Sequence, residues 1–192
     1  MAAVEQPRLS EAIENYAKAI YALARRGDGT VTTNALAERV ALEVLRHHRL
    51  LELYLAEHLG VPWDRVHDEA EALEHVISED LEARIAAKLG HPTHDPHGDP
   101  IPSAELVIDE GDTQALEALP VGTRGRFVRV SDSDPTMLRW LHDQGIVLGA
   151  ALDVVDRQPF EGPVTIRLGD REHVLGGRVA HAMRVELAAP VS

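Results

Sequence analysis

The 192-residue sequence contains no cysteine, which excludes disulfide bonds, thiolate metal ligands and a cysteine nucleophile. Basic residues are in the minority, since 19 Lys and Arg against 32 Asp and Glu give a formal net charge of −13. A protein built mainly to bind nucleic acid needs more positive charge than this. The sequence also lacks a signal peptide pattern and any apolar run of about 18 residues, so we expect a cytoplasmic protein that does not enter a membrane.

The negative charge and the histidines are concentrated in the middle of the chain. Residues 40–102 hold 13 acidic and 5 basic side chains, so this segment contributes −8 to the net charge, and 8 of the 11 histidines lie there. Imidazole and carboxylate groups bind divalent metal ions, whose charge would neutralise part of the acidic excess. The middle segment is therefore the first place to look for a metal site.

Periodic apolar residues predict four helices in the first half of the chain. No glycine or proline interrupts the second of them, which predicts a length of about 39 Å. The predicted helices cover residues 10–26, 34–59, 65–77 and 78–89, with Asp64 as the N-cap of the third and Ser78 as the N-cap of the fourth.

The third predicted helix carries histidines and carboxylates at a regular spacing. At about 100° per residue, His67, Glu71, Glu74 and His75 share one narrow face. His67 and His75 lie about 12 Å apart along the axis, too far for one ion whose metal–ligand bonds are about 2.0 to 2.2 Å. The face therefore implies two metal centres, or one centre and a structural histidine. The competing interpretation is an acidic surface helix with ordinary solvated histidines.

The preceding helix offers two further ligands. His48 and Glu52 lie one helical turn apart and would complete the centre nearer His67. The other centre would consist of Glu71, Glu74 and His75.

The chain between the helices and the second half is expected to be irregular. Residues 91–102 contain too much proline and glycine for a helix or strand, which predicts a turn-rich loop. The histidines of this loop fit either rigid turns or metal ligands, and their spacing matches no standard ligand motif. Residues 103–119 are polar and acidic, as in a linker.

After Pro120 the sequence changes to short β-rich runs separated by Gly, Pro and Asp turns. Residues 135–145, between the first two runs, predict one helix that ends at a glycine. This pattern predicts a second domain, a small β-barrel with one inserted helix. The predicted strands cover residues 125–130, 151–157, 164–168, 172–175 and 182–187.

Four features in this order make the chain resemble the diphtheria toxin repressor family, which consists of iron- or manganese-dependent bacterial transcription regulators. They are the HisArgLeuLeuGlu run at 48–52, the ligand-bearing segment 66–76, the ProHisGlyAspProIlePro loop at 96–102 and the terminal small barrel. The resemblance implies a winged helix-turn-helix, a helical metal-binding and dimerisation domain and an SH3-like (FeoA-like) C-terminal domain. The fold is therefore expected to be mainly α, followed by a small SH3-like β-barrel. The implied domains are residues 1–39 (an incomplete winged helix-turn-helix), 40–102 (metal binding and dimerisation) and 120–192 (SH3-like), with 103–119 as the linker.

The resemblance also implies roles for the ligand candidates. It places an ancillary metal centre at His48, Glu52 and His67, and a primary centre at Glu71, Glu74 and His75. Asn15 stands where the family supplies a methionine or aspartate ligand, although an asparagine offers only a neutral carbonyl oxygen. Asp134 falls near a position where some members lend a ligand from the SH3-like domain, but an aspartate before proline is also a common helix start. These ligand types favour Fe²⁺ or Mn²⁺ at two sites per subunit, and Zn²⁺, Co²⁺ or Ni²⁺ are expected to bind in vitro.

The chain departs from the family in the DNA-reading part. Residues 32–39 look like the first helix of a helix-turn-helix, but the recognition helix and wing that would follow are absent between Arg39 and Val40. Either the sequence is joined across a missing segment, or the protein lacks its DNA reader. The remaining candidate DNA contacts are Thr33, Asn34 and Arg39.

The leading functional hypothesis is a homodimeric, metal-dependent repressor of metal homeostasis genes, which binds promoter DNA if the native protein contains the missing segment. The alternative is a metal-binding dimer that acts through partner subunits. No enzyme and no small-molecule substrate are expected, because the Glu-x-x-His pattern of di-metal bundles is absent at His75 and no HExxH motif or phosphate loop occurs. The SH3-like domain would instead suit a proline-rich peptide, with Trp140 as either a contact or a core residue.

Overall fold

A computed structural model of the chain describes residues 33–160 and 162–188. The first part of it is helical. Helix α1 spans Thr33–Leu59, α2 spans Val66–Leu73 and α3 spans Glu79–Lys88. None of the described helices is long and apolar enough to cross a membrane.

The predicted DNA-reading part is largely outside the described residues. The predicted first helix, with Asn15, lies there, and so do the side chains of Thr33 and Asn34. Helix α1 continues without interruption through Arg39 and Val40, the point at which the family would insert its reader. The expected remnant of a winged helix-turn-helix is therefore not confirmed.

The three helices pack around one apolar core. Helix α1 contributes leucines spaced by one to four residues, and α2 and α3 each contribute a short apolar stripe. Each fully buried leucine side chain stabilises this packing by roughly 2 kcal/mol. The core holds α1 beside α2, so polar residues on the adjoining faces of the two helices meet. Its buried members are Leu50, Leu51, Leu55, Val66, Ala70, Ile85, Ala86 and Ile101.

One of the two predicted N-caps is correct. The Ser78 hydroxyl accepts a hydrogen bond from the Leu81 amide at 3.3 Å and begins α3 as expected. At α2 the N-cap position is Arg65, which makes no side-chain cap bond. The predicted cap of α2, Asp64, pairs with Arg139 at 2.9 Å and thereby links the helical part to the second half of the chain.

Helix α2 also ends earlier than predicted. Its last residue is Leu73, and the next residues form a turn in which the Val76 amide donates to the Leu73 carbonyl at 3.0 Å. Glu74 is the C-cap, with helical φ and ψ angles and its amide donating to the Ala70 carbonyl, whereas His75 lies in the turn past the helix. The prediction that the helical face of His67 continues therefore holds as far as Glu74 and is wrong for His75.

The second half is a six-stranded antiparallel sheet with the strand order β1-β6-β2-β3-β4-β5. This agrees with the expected class of a helical part followed by a small β domain. The strands are β1 Thr113–Ala115, β2 Arg124–Val130, β3 Ala151–Arg157, β4 Val164–Leu168, β5 Arg171–Leu175 and β6 Met183–Leu187.

Two helices and a 3-10 turn complete this sheet part. Helix α4 spans Pro135–Asp143 and α5 spans Gly177–Ala182, and both lie near the ends of strands. Strand β1 and the 3-10 turn Leu116–Ala118 fall in the stretch expected to be a linker, where β1 pairs with β6. The core between sheet and helices is apolar and fully buried, and Phe127 is its largest side chain.

Candidate metal centre

Glu52 is a buried carboxylate at the junction of the helical part and the sheet part. It lies on the inner side of α1, one helical turn after His48, and is 0% exposed. Its Oε1 atom contacts His48 Nε2 at 3.1 Å, whereas Oε2 has no hydrogen-bond partner within the described part of the chain. A buried carboxylate oxygen without a partner is costly, and a cation would remove that cost.

Four side chains from three separate elements converge beside Glu52 Oε1. His48 Nε2 lies 3.1 Å from His67 Nδ1, which is 3.4 Å from Glu52 Oε1 and 3.0 Å from Asp132 Oδ2. Ligands bonded to one ion at about 2.1 Å lie about 3.0 to 3.5 Å apart for octahedral or tetrahedral angles. These three separations, and that of 3.1 Å between His48 Nε2 and Glu52 Oε1, therefore fit a single divalent ion.

A second buried group shares Glu52. One ligand atom each from Glu52, Asp95 and His97 lies within 4.8 Å of the others, and all three residues are buried. His97 Nε2 donates to the Trp63 carbonyl at 2.7 Å, because a carbonyl can only accept. His97 Nδ1 then faces Glu52 Oε1 at 3.9 Å and has no partner in the described part. In the neutral ring this nitrogen carries a lone pair directed at acidic oxygens, an arrangement that favours a bound cation.

The loop geometry explains why Asp95 and His97 are held at this site. Asp95 Oδ1 accepts hydrogen bonds from the backbone amides of His97 and Asp99, at 2.8 and 2.9 Å, and so closes a tight turn. The His97 ring stacks on Trp63, with ring centroids 5.9 Å apart and an interplanar angle of 24°. Both contacts fix the His97 side chain before any ligand binds.

The pKa values reflect this crowding of charge. Burial alone would lower the pKa of His48, but its hydrogen bonds and charge interactions with Glu52 and Glu74 outweigh burial and raise the pKa to about 9. Burial raises the pKa of Asp95 to about 8, helped by the charges of Glu52 and Asp99. The pKa of Glu52 is lowered despite burial, because the His48 hydrogen bond and the nearby imidazoles favour its charged form. In the metal-free protein at neutral pH, His48 and Asp95 therefore carry protons that a bound cation would displace.

The residues of the predicted primary centre are less closely gathered. Glu74 Oε2 contacts His48 Nδ1 at 2.6 Å, and Glu74 Oε1 contacts His75 Nε2 at 3.2 Å. Glu74 thus orients the outer nitrogen of His48, a common arrangement behind metal-binding histidines. Glu71 is exposed on α2, and Asn15 lies outside the described residues. In the described ranges, the groups of three or more converging ligand atoms include none of Glu71, Glu74 and His75.

The sheet part contributes a different aspartate from the one proposed from sequence. Asp134 caps α4, accepting from the amides of Thr136 and Met137 at 3.0 and 3.1 Å, and its other oxygen pairs with Arg178. Asp132, two residues earlier, reaches His67 instead. Sequence reasoning missed Asp132, Asp95 and His97. For the last two, a signal was present in the histidine-rich loop.

The comparisons with known proteins agree with a metal-dependent regulator. The family model described as "Iron dependent repressor, metal binding and dimerisation domain" matches residues 36–103, and that of the FeoA domain matches residues 114–187. These descriptions define a class, the metal-dependent transcriptional repressors, which are not enzymes.

Individual relatives narrow the class to a family. The iron-dependent repressor IdeR of Mycobacterium tuberculosis is 35% identical over 172 residues, which cover 83% of this chain and 74% of the relative. The diphtheria toxin repressor of Corynebacterium glutamicum is 33% identical over 77% of this chain and 68% of its own length. A solved manganese-dependent transcriptional repressor in complex with manganese has a TM-score of 0.78 and 38% identity, over 95% of this chain and 92% of that one. The chain belongs to the diphtheria toxin repressor family of metal-dependent repressors.

Proposed function

We propose that this protein represses transcription when a divalent ion, Fe²⁺ or Mn²⁺, binds at the centre around Glu52. The observation that carries this proposal is the pair of buried atoms Glu52 Oε2 and His97 Nδ1, which have no hydrogen-bond partner in the described part of the chain. Their side chains adjoin, with His97 Nδ1 3.9 Å from Glu52 Oε1. Oxygen and imidazole ligands without sulfur suit both ions, and Zn²⁺, Co²⁺ or Ni²⁺ would also bind in vitro.

We assign the ligands of this centre from geometry. His48, Glu52, His67 and Asp132 offer donor atoms at the spacing of one ion, and Asp95 with His97 extends the same centre from the loop side. A second ion at Glu71, Glu74 and His75, with Asn15 as a weaker candidate, remains a proposal that rests on the family resemblance. Glu74 would then connect the two centres, since it contacts both His48 and His75.

The regulatory step follows from where these side chains are anchored. His48 and Glu52 lie on α1, His67 on α2, His97 in the loop and Asp132 after β2. A bound divalent ion supplies positive charge that replaces the protons and neutralises the carboxylates. The four elements are then held in one arrangement, and a ligand that binds one arrangement better shifts the population toward it.

We further propose that the protein acts as a cytoplasmic homodimer on promoter DNA. The matching family domain is one of dimerisation as well as metal binding, and the relatives are transcriptional repressors. A metal-binding dimer that only pairs with intact partner subunits is less favoured, because nothing in the named relatives points to such a role.

The proposal is tested by DNA selection from a genomic fragment library with the full chain, once with Mn²⁺ and once with EDTA. We expect a small set of enriched promoter fragments in Mn²⁺ and none in EDTA. The variant Glu52→Gln keeps the size of the side chain but removes its charge, and it should lose the enrichment. Equal enrichment with Mn²⁺ and EDTA would refute metal-dependent repression, and no enrichment in either would refute DNA reading by this chain.

Crystals soaked in Mn²⁺ test the ligand assignment separately. Anomalous difference density is expected within bonding distance of Glu52, either among His48, His67 and Asp132 or beside Asp95 and His97. A peak beside His75 would support the second centre. Peaks at the protein surface alone would contradict both assignments.

A further inference from the structure

The loop that carries Asp95 and His97 lies directly against strand β2 of the sheet part. We call this contact the loop joint; it consists of His97, Gly98 and Asp99 on the loop and Val128, Arg129 and Val130 on β2. At its centre, Gly98 has a φ of +84°, and a Cβ atom there would lie 1.9 Å from the Val128 carbonyl oxygen. Only glycine fits, because any side chain would collide with backbone that cannot move independently.

Strand β2 is locally shaped to receive the loop. Its pairing with β6 shifts register between Phe127 and Arg129, so Val128 stands in an irregularity of the ladder. The Val130 amide donates to the His97 carbonyl at 2.9 Å. A backbone hydrogen bond and a backbone contact at glycine together fix the distance between loop and strand.

A network of ion pairs centred on Asp99 spans the loop joint. Asp99 Oδ1 lies 2.5 Å from Arg129 Nη2 on β2 and 3.3 Å from Arg49 Nη2 on α1. Asp99 is only 9% exposed, so the charges are poorly screened by solvent. Arg49 also donates to the Pro100 carbonyl, which ties the loop to α1. This network therefore connects α1, the loop and β2 through the carboxylate of Asp99.

The loop joint stands close to the sheet's contribution to the metal centre. Asp132 follows Val130 by two residues, a reach of about 7 Å at most, and its Oδ2 lies 3.0 Å from His67. Fixing Val130 against the loop therefore confines Asp132 to the neighbourhood of His67. We propose that the loop joint is a positioning device, which holds Asp132 at the centre before any ion binds. This inference rests on the proposed function for its metal, but the joint itself requires none.

The proposal is tested in the metal-free protein by measuring the distance between one spin label on the helical part and one on the sheet part. The chain has no cysteine, so the exposed positions Lys88 and Asp170 can be replaced by cysteine and labelled without background. Dilution with unlabelled protein leaves one labelled chain per assembly. We expect a narrow distance distribution without metal that Mn²⁺ leaves unchanged. A broad distribution that only Mn²⁺ narrows would overturn the proposal, whether or not the protein proves to be a repressor.

Two pairs of variants identify the contacts responsible. Gly98→Ala should broaden the metal-free distribution, whereas Gly122→Ala should not, because Gly122 has a similar φ of +87° but nothing within 4 Å. Arg129→Gln should also broaden it, whereas Glu110→Gln should not, since Glu110 is an exposed second partner of Arg129. If each variant matches its control, the joint does not position the sheet part.

Mn²⁺ affinity distinguishes positioning from a merely structural role. Arg129→Gln should weaken Mn²⁺ binding about 10-fold, the usual effect of losing a residue that orients a ligand. In an Asp132→Asn background the same substitution should have no further effect, because the group that it positions is gone. An equal loss in both backgrounds would contradict positioning through Asp132.

Discussion

Metal binding at the Glu52 centre should strengthen steeply with pH. In the metal-free protein the pKa of His48 is about 9: burial opposes this rise, but hydrogen bonds and charges from Glu52 and Glu74 prevail. The pKa of Asp95 is about 8, through burial and the charges of Glu52 and Asp99. Both side chains are therefore largely protonated at neutral pH. Each must lose its proton to serve as a ligand, so binding of one ion should release close to two protons.

The size of the effect follows from these two values. Each released proton makes the binding free energy about 1.4 kcal/mol more favourable per pH unit below its pKa. From about pH 7 to 8 both protons contribute, and the apparent Kd for Mn²⁺ should fall about 50-fold. From about pH 8 to 9 it should fall about 10-fold more and then level off.

Trp63 provides the assay, because its ring stacks on His97 and its environment changes when His97 binds an ion. The variant Trp140→Phe leaves Trp63 as the only tryptophan, and anaerobic titrations keep Mn²⁺ reduced at high pH. Calorimetry in two buffers of different ionisation enthalpy counts the protons. In Asp95→Asn the count should fall by about one, and the pH dependence should become shallower. A Kd that stays constant from about pH 7 to 9 would refute the reasoning.

Three further predictions concern neighbouring residues. Asp132→Asn should weaken Mn²⁺ binding about 10-fold or more, as measured by titration. Asp134→Asn should leave Mn²⁺ binding unchanged and lower the free energy of unfolding in urea by up to about 1 kcal/mol, because it removes a negative charge at the N-terminus of α4 and the ion pair with Arg178. The metal-free protein should lose about 3 kcal/mol of stability from pH 7 to 9. Over this range folded His48 loses the charge that Glu52 and Glu74 stabilise, and folded Asp95 gains a charge that burial penalises. A free energy of unfolding that rises over this range would contradict the prediction. Arg46→Met should cost about 2 kcal/mol in urea denaturation, because it removes buried hydrogen bonds to a carboxylate and a carbonyl; an unchanged midpoint would show that these bonds contribute nothing.

The part of the site that follows local rules was predictable from sequence. His48 and Glu52 are one turn apart on a helix without glycine or proline, and this alone places them side by side. The apolar stripes of the same helix and the next one put His67 opposite them, since burying both stripes requires the helices to lie together. The structure brings these three side chains within 4.8 Å of one another.

The position where α2 ends depends on tertiary packing, and no residue pattern near Leu73 predicts it. Neither glycine nor proline follows Leu73, and the acidic and apolar periodicity continues to Ile77. The chain turns there because Ile77 packs against the helical core while Ser78 begins α3. Tertiary contacts therefore override helix propensity after Glu74, whose side chain contacts His48 from the C-cap position.

Asp132 shows how far capping rules alone can narrow a ligand assignment. An aspartate directly before Pro135 is the expected N-cap of α4, and Asp134 indeed receives the amides of Thr136 and Met137. A carboxylate committed to a cap and to Arg178 has little capacity left for an ion. Any ligand from this turn must then come from the next acidic residue upstream, which is Asp132. Its partner His67 is 65 positions away in the sequence. Local chemistry can therefore identify Asp132 as a candidate, but its contact with His67 depends on the packing of the helical part against the sheet part.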